Sequence, residues 1–470
     1  MMSKLSELEQ RVLLKIKPRP EEYSLLLSTY DKIASVLRKT LSTHGIEADI
    51  TLQGSIAHDT WLSGDRDLDI FVLFPSDWSR EDLEKKGFSL ILEASKELGY
   101  YELRYAEHPY VRVKLGGVEA DIVPGLKLLD PSSAKTAVDR TPFHTRYVNS
   151  VLNSELRDHV RLLKKFMKTI GVYGAEVKTR GFSGYAVELL VIAHNGFRNV
   201  LEAASKWKPP VFINTLGEKL TKDLMRELRS KYPDSCVYMP DPVDPLRNVT
   251  ASVNLRSLSS FIIASRCYLK NPDSVFFEDN SLVDSSRIIE SIRDRCIIFI
   301  TYKLREDLPP DVIWGEAFRV SSTLAKILDL LDLRVIDYSA WTNERNTAVI
   351  GVELDECYLN KFKHYRGPCI AHEEERLVNF MRKHLGKGYG PWVTHNGCLD
   401  SLDRRTTTNV VELLRSRWLE FTVSPHFKLV KPSVEIASVD VVEWLISSGA
   451  GKWLRDFVLK TPVWMEKCIS

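Results

Sequence analysis

The chain has 470 residues, of which 44% are hydrophobic, 10% aromatic and 27% charged. At about 100–200 residues per domain this predicts two to four domains with ample core, and it excludes a small disulfide-stapled fold or a disordered chain. Sixty-five Lys and Arg stand against 63 Asp and Glu, a net charge of +2, so overall charge argues for no polyanionic partner and any nucleic-acid surface must be a local patch.

The N-terminal SKLSELEQRVLLKIKP is charged and helical in pattern, without an apolar targeting core, and no run approaches 18 apolar residues. This predicts a soluble, cytoplasmic protein with no membrane segment. Helical patterning covers about 5–45 and ends at Gly45, and ADITLQ follows as a strand running into Gly54-Ser55. LDIFVLFP is a strand closed by Pro75, and REDLEKKGFSLILEASKELG is a charged helix. YYELRYAEHPYVRVKL and GVEADIVPG read as two further strands, joined at Gly116-Gly117 by a primed-type hairpin turn. The first 125 residues are thus a mixed α/β unit.

LKLLDPSSAKTAVDRTPFHTRYVN is a polar stretch, after which the pattern turns helical. Apolar residues at three- and four-residue spacing predict helices over 155–170, 183–200 and 254–269. From about 290, RCIIFITYKL, RVIDYSAWTN and TAVIGVELDE are β-rich around a helix at 315–332. The expected architecture is multidomain, α/β plus α+β: a catalytic head over 1–150, a mostly helical domain over 151–285 and an α+β domain over 286–470. The seven cysteines, at 236, 267, 296, 357, 369, 398 and 468, include no C-x-x-C pair. That spacing predicts neither a zinc site nor a disulfide framework, and the thiols are expected to be free groups in a reducing compartment.

The most informative stretch is GSIAHDTWLSGDRDLDIFVLFP. Successive side chains of a strand alternate faces, so Asp67 and Asp69 point the same way while Leu68, Ile70 and Val72 face the core. Two carboxylates held side by side repel unless a cation sits between them, and a divalent metal with oxygen ligands is the usual solution. Asp121, in VEADIVP, offers a third carboxylate; if its strand pairs beside the first, the three could hold Mg²⁺ against phosphate oxygens for in-line nucleotidyl transfer. Upstream, Gly54 allows close approach of backbone to a triphosphate, and Ser55 supplies a hydroxyl at a helix start. An isolated D-x-D is most often a solvated strand end, and Gly-Ser alone means nothing. The compound pattern, with eleven residues between Ser55 and Asp67 and a later strand Asp, is far more specific.

Three other signals carry less. His372-Glu373 opens an H-E-x-x-H pattern that fails at Arg376. GKGYGP at 386–391 lacks the last Gly of a dinucleotide loop. KFKHYRG at 361–367 interleaves Lys361, Lys363 and Arg366 with aromatic rings, as an RNA surface does and as a solvated Lys-rich edge strand also does.

In chain order, GSIAHDTWLSGDRDLDIFVLFP, VEADIVPG, AVDRTPFHTRYV, LRDHVRLLKKFMK, GVYGAEVKTRGFSGYAVELL and DPVDPLRNV resemble the nucleotidyltransferase superfamily related to DNA polymerase β, and within it the archaeal class I CCA-adding enzymes. The likeness covers about residues 1–260; beyond 285 it rests on length and domain kind. It implies a polymerase-β-like head, a helical nucleotide- and RNA-binding domain and a C-terminal tRNA-binding domain. The implied activity is template-independent, Mg²⁺-dependent addition of CCA to the 3′ end of tRNA from CTP and ATP, with repair of incomplete ends. Acceptor stem and elbow of tRNA are the implied contacts, and some members are homodimers. By position, the resemblance makes Asp67, Asp69 and Asp121 the metal-binding catalytic carboxylates. It places Gly54, Ser55, His58, Thr141, His144, Lys164 and Tyr173 at the nucleotide and Arg247 at a base-selecting site. His58 stands where the family commonly has Arg or Lys. A poly(A)-type polymerase and a catalytically idle RNA-binding protein on the same scaffold are the competing readings.

Overall fold

Two prolines set the first break in the chain. Helix α1 (Glu7–Ile16) is opened by a reciprocal Ser6–Glu9 capping box, and α2 (Pro20–Thr43) begins on Pro20 and runs to the left-handed Gly45. The continuous helix expected over 5–45 is therefore two, because neither Pro18 nor Pro20 can donate a helical hydrogen bond. The computed structural model describes residues 5–105, 109–134, 137–278 and 284–469. It divides into one unit of Met1–Asn280 with Val463–Ser470 and another of Ser281–Pro462.

In the first unit a five-stranded sheet carries β1 (Asp49–Gln53), β2 (Asp67–Phe74), β3 (Tyr101–Tyr105), β4 (Pro109–Leu115) and β5 (Val118–Leu126), in the spatial order β1-β2-β5-β4-β3. Strands β2 and β5 are parallel neighbours, with Asp69 opposite Asp121 and Asp67 opposite Glu119. Gly116 and Gly117, both at positive φ, make the tight turn between β4 and β5. The segment 101–115, expected as one strand, is instead the antiparallel pair β3 and β4, and 106–108 lie outside the described residues. Leu68, Ile70, Val72 and Phe74 are buried against Ile33 and Leu37 of α2 and Ile91 and Ala94 of the helix Phe88–Leu98. One face of β2 is thus committed to the core, and the other is left to carry chemistry.

The polar stretch before 155 is itself helical: Ala137–Val151 forms a helix with Pro142 inside it. Its apolar residues are too sparse to give a periodic signal. Next come the helices Ser154–Thr169, Gly184–His194, Phe197–Ala204 and Leu255–Lys270. They pack around Phe166, Phe182, Phe197, Phe261 and Tyr268. The helix expected over 183–200 is broken at Asn195 and Gly196, both at positive φ, a left-handed helix end that the apolar spacing conceals. Trp464 of the C-terminal segment is buried in this same core.

The second unit holds a four-stranded sheet in the order Ser433–Ile436, Cys296–Lys303, Thr347–Leu354, Val335–Thr342. Its helix Pro310–Leu330, expected over 315–332, covers one face through Ile313, Val320 and Leu324. Val442, Leu445, Leu454 and Phe457 cover the other. A three-stranded sheet, Phe362–Cys369, Cys398–Arg404 and Gly388–Val393, has Phe362–Cys369 on its edge and packs with the helix Glu374–His384. Among the described residues no helix is long and apolar enough to cross a membrane.

The expectation of free thiols is corrected. Cys267–Cys468, Cys296–Cys357 and Cys369–Cys398 are disulfides, and Cys236 is free. The partners lie 201, 61 and 29 residues apart, so tertiary structure alone brings them together and no local spacing announces them.

Candidate active site

The parallel pairing of β2 with β5 places Asp69 and Asp121 side by side, with Asp67 two residues back on the same face. Burial and the neighbouring charges of Asp121 and Asp67 push the Asp69 carboxyl up to about 7. Asp67 is raised as well, by burial and by Asp65 and Glu119. Asp121 is gripped from β4, where Arg112 stands directly opposite it. Arg112 Nε donates to Oδ1 at 2.6 Å and Nη2 to Oδ2 at 2.7 Å, a bidentate ion pair.

Gly54 ends β1 beside this group and opens the short helix α3 (Gly54–Ala57) at φ +68°. A Cβ here would overlap the Asp69 carboxylate oxygen, so glycine is required both by the backbone conformation and by the close approach. Ser55 follows at the start of α3, partly exposed. No three His, Cys, Asp or Glu side chains among the described residues form a ready-made metal cluster. The donor set nevertheless fits a hard divalent cation: three carboxylates share one face, and burial beside Asp121 and Asp67 makes the ionised Asp69 costly without a neighbouring cation. Asp67, Asp69 and Asp121 are the residues that would hold such an ion, Asp121 being paired with Arg112 here.

His58 closes α3 and is turned inward. Its Nδ1 faces both oxygens of Glu188 at 3.0 and 3.1 Å, and its Nε2 meets the Thr145 hydroxyl at 3.0 Å. Glu188 also accepts from Thr60 Oγ1 at 2.5 Å, while Lys164 Nζ donates to Thr60 at 3.0 Å and lies 3.7 Å from Glu188. His58, Lys164 and Glu188 are all buried. Burial alone would raise Glu188, but His58 and Lys164 outweigh it and hold the carboxyl down at about 2. Burial lowers Lys164. Tyr173 bridges to Phe182, lies under Lys168 Nζ at 5.4 Å and packs against the helical core.

A second buried carboxylate organises the remaining candidates. Asp241 is fully buried and accepts four hydrogen bonds. They come from His144 Nε2 at 2.8 Å, Arg247 Nη1 at 2.8 Å, the Tyr185 hydroxyl at 3.0 Å and the Val243 amide at 2.9 Å. Burial would raise Asp241, yet these donors, His144 foremost, bring it to about 2. The His144 ring stacks on Tyr185 at 4.1 Å. His144 and Thr145 are consecutive on the helix Ala137–Val151, so one element meets Asp241 directly and Glu188 by way of the His58 ring, and Thr141 lies one turn earlier on it.

The fold thus gathers Gly54, Ser55, Asp67, Asp69 and Asp121 at one end of β1, β2 and β5. It joins His58 to Lys164 through Glu188 and Thr60, and His144 to Arg247 through Asp241. Lys361 and Arg366 are exposed at the edge of the three-stranded sheet in the second unit; Lys363, partly buried, lies 5.3 Å over the Tyr365 ring and 3.8 Å from Asp332. Sequence reasoning missed Glu188, Asp241, Tyr185 and Arg112. A glutamate inside the apolar run AVELLVIA was the visible signal for the first of these.

A G-S turn against strand carboxylates on a mixed sheet defines a nucleotidyltransferase. Residues 33–144 match the family described as nucleotidyltransferase domain, and 158–278 that described as tRNA nucleotidyltransferase, second domain. Residues 293–434 match the CCA-adding enzyme, C-terminal domain. Proteins named CCA-adding enzyme from Saccharolobus shibatae and Sulfurisphaera tokodaii are 37% and 36% identical over 98% of this chain and 100% of their own lengths. One from Sulfolobus acidocaldarius is 35% identical over 97% of this chain and 99% of its own. The chain belongs to the CCA-adding enzymes.

Proposed function

We infer that the chain adds C, C and A in turn to the 3′ end of tRNA from CTP and ATP, without a nucleic-acid template, and completes ends that lack part of the sequence. The observation that carries this reading is the carboxylate set on β2 and β5, with Asp69 directly beside Asp121 and Gly54 packed on it.

Asp67, Asp69 and Asp121 would hold Mg²⁺, which supplies positive charge at the reacting phosphate and makes the attacking 3′-hydroxyl more acidic. The protein's own contribution is positional. Gly54 lets the chain pass close to the phosphates, and Ser55 offers a hydroxyl to a phosphate oxygen. His58 has both ring nitrogens engaged, so it acts by fixing α3 against Glu188 rather than by reaching the nucleotide directly. Lys164 lies buried beneath the same turn and donates to Thr60, and Tyr173 walls the site. Thr141, His144 and Arg247 face the nucleoside. Residues 1–150 act as the catalytic head, 151–285 as the nucleotide- and RNA-binding region, and 286–470 as the tRNA-binding region. In the last of these, Lys361, Lys363 and Arg366 meet the elbow and its phosphates. The setting is cytoplasmic, and light scattering with and without tRNA distinguishes monomer from homodimer.

The test incubates the protein and Mg²⁺ with tRNAs ending before, within and after CCA, supplying CTP and ATP separately and together. Expected is addition of C first, then A, then arrest. Unlimited extension from ATP alone assigns a poly(A)-type polymerase, and binding without incorporation assigns an idle scaffold.

A further inference from the structure

The carboxylate face of the head sheet continues past Asp121 onto β4 and β3. Arg112 stands opposite Asp121 and bonds it, so Tyr110, two residues back on β4, points to the same side, while Val111 and Val113 are buried on the other. Arg104 of β3 stands opposite Tyr110. The charged side chains of this stretch are committed to one another: Arg112 to Asp121 and Glu119, Lys114 to Glu119 and Glu102, and Arg104 to Glu102. The Tyr110 hydroxyl is the exception, half-buried and without a hydrogen-bond partner among the described residues. Burial raises the phenol, the charges of Asp121 and Asp69 act the same way, and Arg112 and Arg104 act against them. A protonated hydroxyl therefore stands within the field of the carboxylates.

Position across the sheet indicates what this hydroxyl meets. In the order β1-β2-β5-β4, the Gly54-Ser55 turn at the end of β1 comes first, then Asp67 and Asp69, then Asp121, then Tyr110. In-line displacement puts the leaving pyrophosphate and the attacking hydroxyl on opposite sides of the reacting phosphorus. With the phosphates at Gly54-Ser55, the attacking ribose lies toward β4, and neighbouring strands are only about 4.8 Å apart. On that sugar the group vicinal to the attacking 3′-oxygen is the 2′-hydroxyl, both donor and acceptor, and a neutral phenol matches it. A phosphate would call for a cation, and the cations here are spent on carboxylates. We propose that Tyr110 is a specificity-determining residue whose hydroxyl bonds the 2′-hydroxyl of the acceptor's terminal ribose and so selects an RNA end over a DNA end. This rests on the reading of Asp67, Asp69 and Asp121 as the catalytic carboxylates.

The test measures kcat and KM in two arms. In the first, CTP is added to tRNA lacking CCA whose terminal nucleotide carries ribose or 2′-deoxyribose; in the second, all-ribose tRNA receives CTP or dCTP. The wild-type protein is expected to favour the ribose acceptor by roughly tenfold in kcat/KM. Tyr110→Phe removes one oxygen and unpairs nothing, so it should unfold at the wild-type temperature and keep its rate on the deoxyribose acceptor. Its preference for the ribose acceptor should fall to within about threefold, while the second arm stays as in wild type. An unchanged preference, or equal losses on both acceptors, overturns the inference. So does a collapse confined to the second arm, which puts the hydroxyl on the incoming sugar, and so does a Tyr110→Phe protein that fails to fold, which makes the hydroxyl structural. A wild-type protein that extends both acceptors equally overturns the inference and leaves the proposed function standing. One that adds neither C nor A to all-ribose tRNA overturns both.

Discussion

Asp69→Asn is expected to stabilise the metal-free protein while abolishing transfer. The folded-state value of about 7 lies above the ordinary carboxylate value of 3.8, so the folded chain resists ionising this group. Below about pH 4 the carboxyl is protonated folded or unfolded and costs nothing; the cost grows as pH rises and is complete above about 7. At 1.36 kcal/mol per pH unit it reaches about 4 kcal/mol. Because the carboxylate retains some contact with solvent and Asn brings its own amide, about 2 kcal/mol of that should appear as a gain. For a unit of this size that is a rise of roughly 4–6 °C in Tm. The assay is thermal unfolding of both proteins in EDTA at pH 8 and pH 4, then at pH 8 with Mg²⁺, alongside CTP incorporation. The gain should vanish at pH 4, and Mg²⁺ should stabilise the wild-type protein more than the variant. A variant less stable than wild type at pH 8 in EDTA, or a gain of the same size at both pH values, refutes the reasoning.

Gly54→Ala forces a side chain into the Asp69 carboxylate at positive φ, so it should cost about 1–3 kcal/mol of stability and at least a hundredfold in kcat; urea titration and single-turnover kinetics check it. Glu188, held down at about 2, supplies stability that is fully present above about pH 4.5 and is lost as pH falls toward 2, about 3 kcal/mol in all. Glu188→Gln should remove that acid-sensitive part and, by stranding Lys164, lower stability at pH 7 by about 3 kcal/mol, read by urea unfolding across pH. Cys357→Ser, which opens a 61-residue loop, should destabilise the second unit by about 4 kcal/mol in calorimetry. Lys361→Glu with Arg366→Glu should weaken tRNA binding and lower the slope of log K against log salt by about one per residue, measured by filter binding over a salt series.

The carboxylate face was readable because strand alternation is a local rule: Asp67 and Asp69 must share a side whatever the rest of the chain does. That Asp121 lies beside Asp69 depended on β5 returning parallel to β2, which the residues of either strand alone leave open. The breaks at Pro18–Pro20 and at Asn195-Gly196 had local chemistry, but apolar spacing ran across both and masked it. The helix Ala137–Val151 hid for the opposite reason, since its exposed turns carry little apolar pattern. Glu188 and Asp241 were hidden more deeply. A buried carboxylate is defined by the donors that surround it, and those come from positions 58, 60, 144, 185, 243 and 247, which only the folded chain assembles. His58 was legible as a histidine after the G-S turn, but that its ring is bonded on both nitrogens depends on Glu188 and Thr145, which the fold brings to it.

The Cys267–Cys468 bridge has a topological outcome. The chain leaves the first unit near 280, builds the second, and returns at 463 to be fastened to the helix Leu255–Lys270. The second unit is therefore strung on a covalent ring. A protease cutting once anywhere between 281 and 462 yields two pieces that migrate as one molecule until a reductant parts them, and the cut protein keeps its C-terminal segment on the core that Trp464 helps to fill.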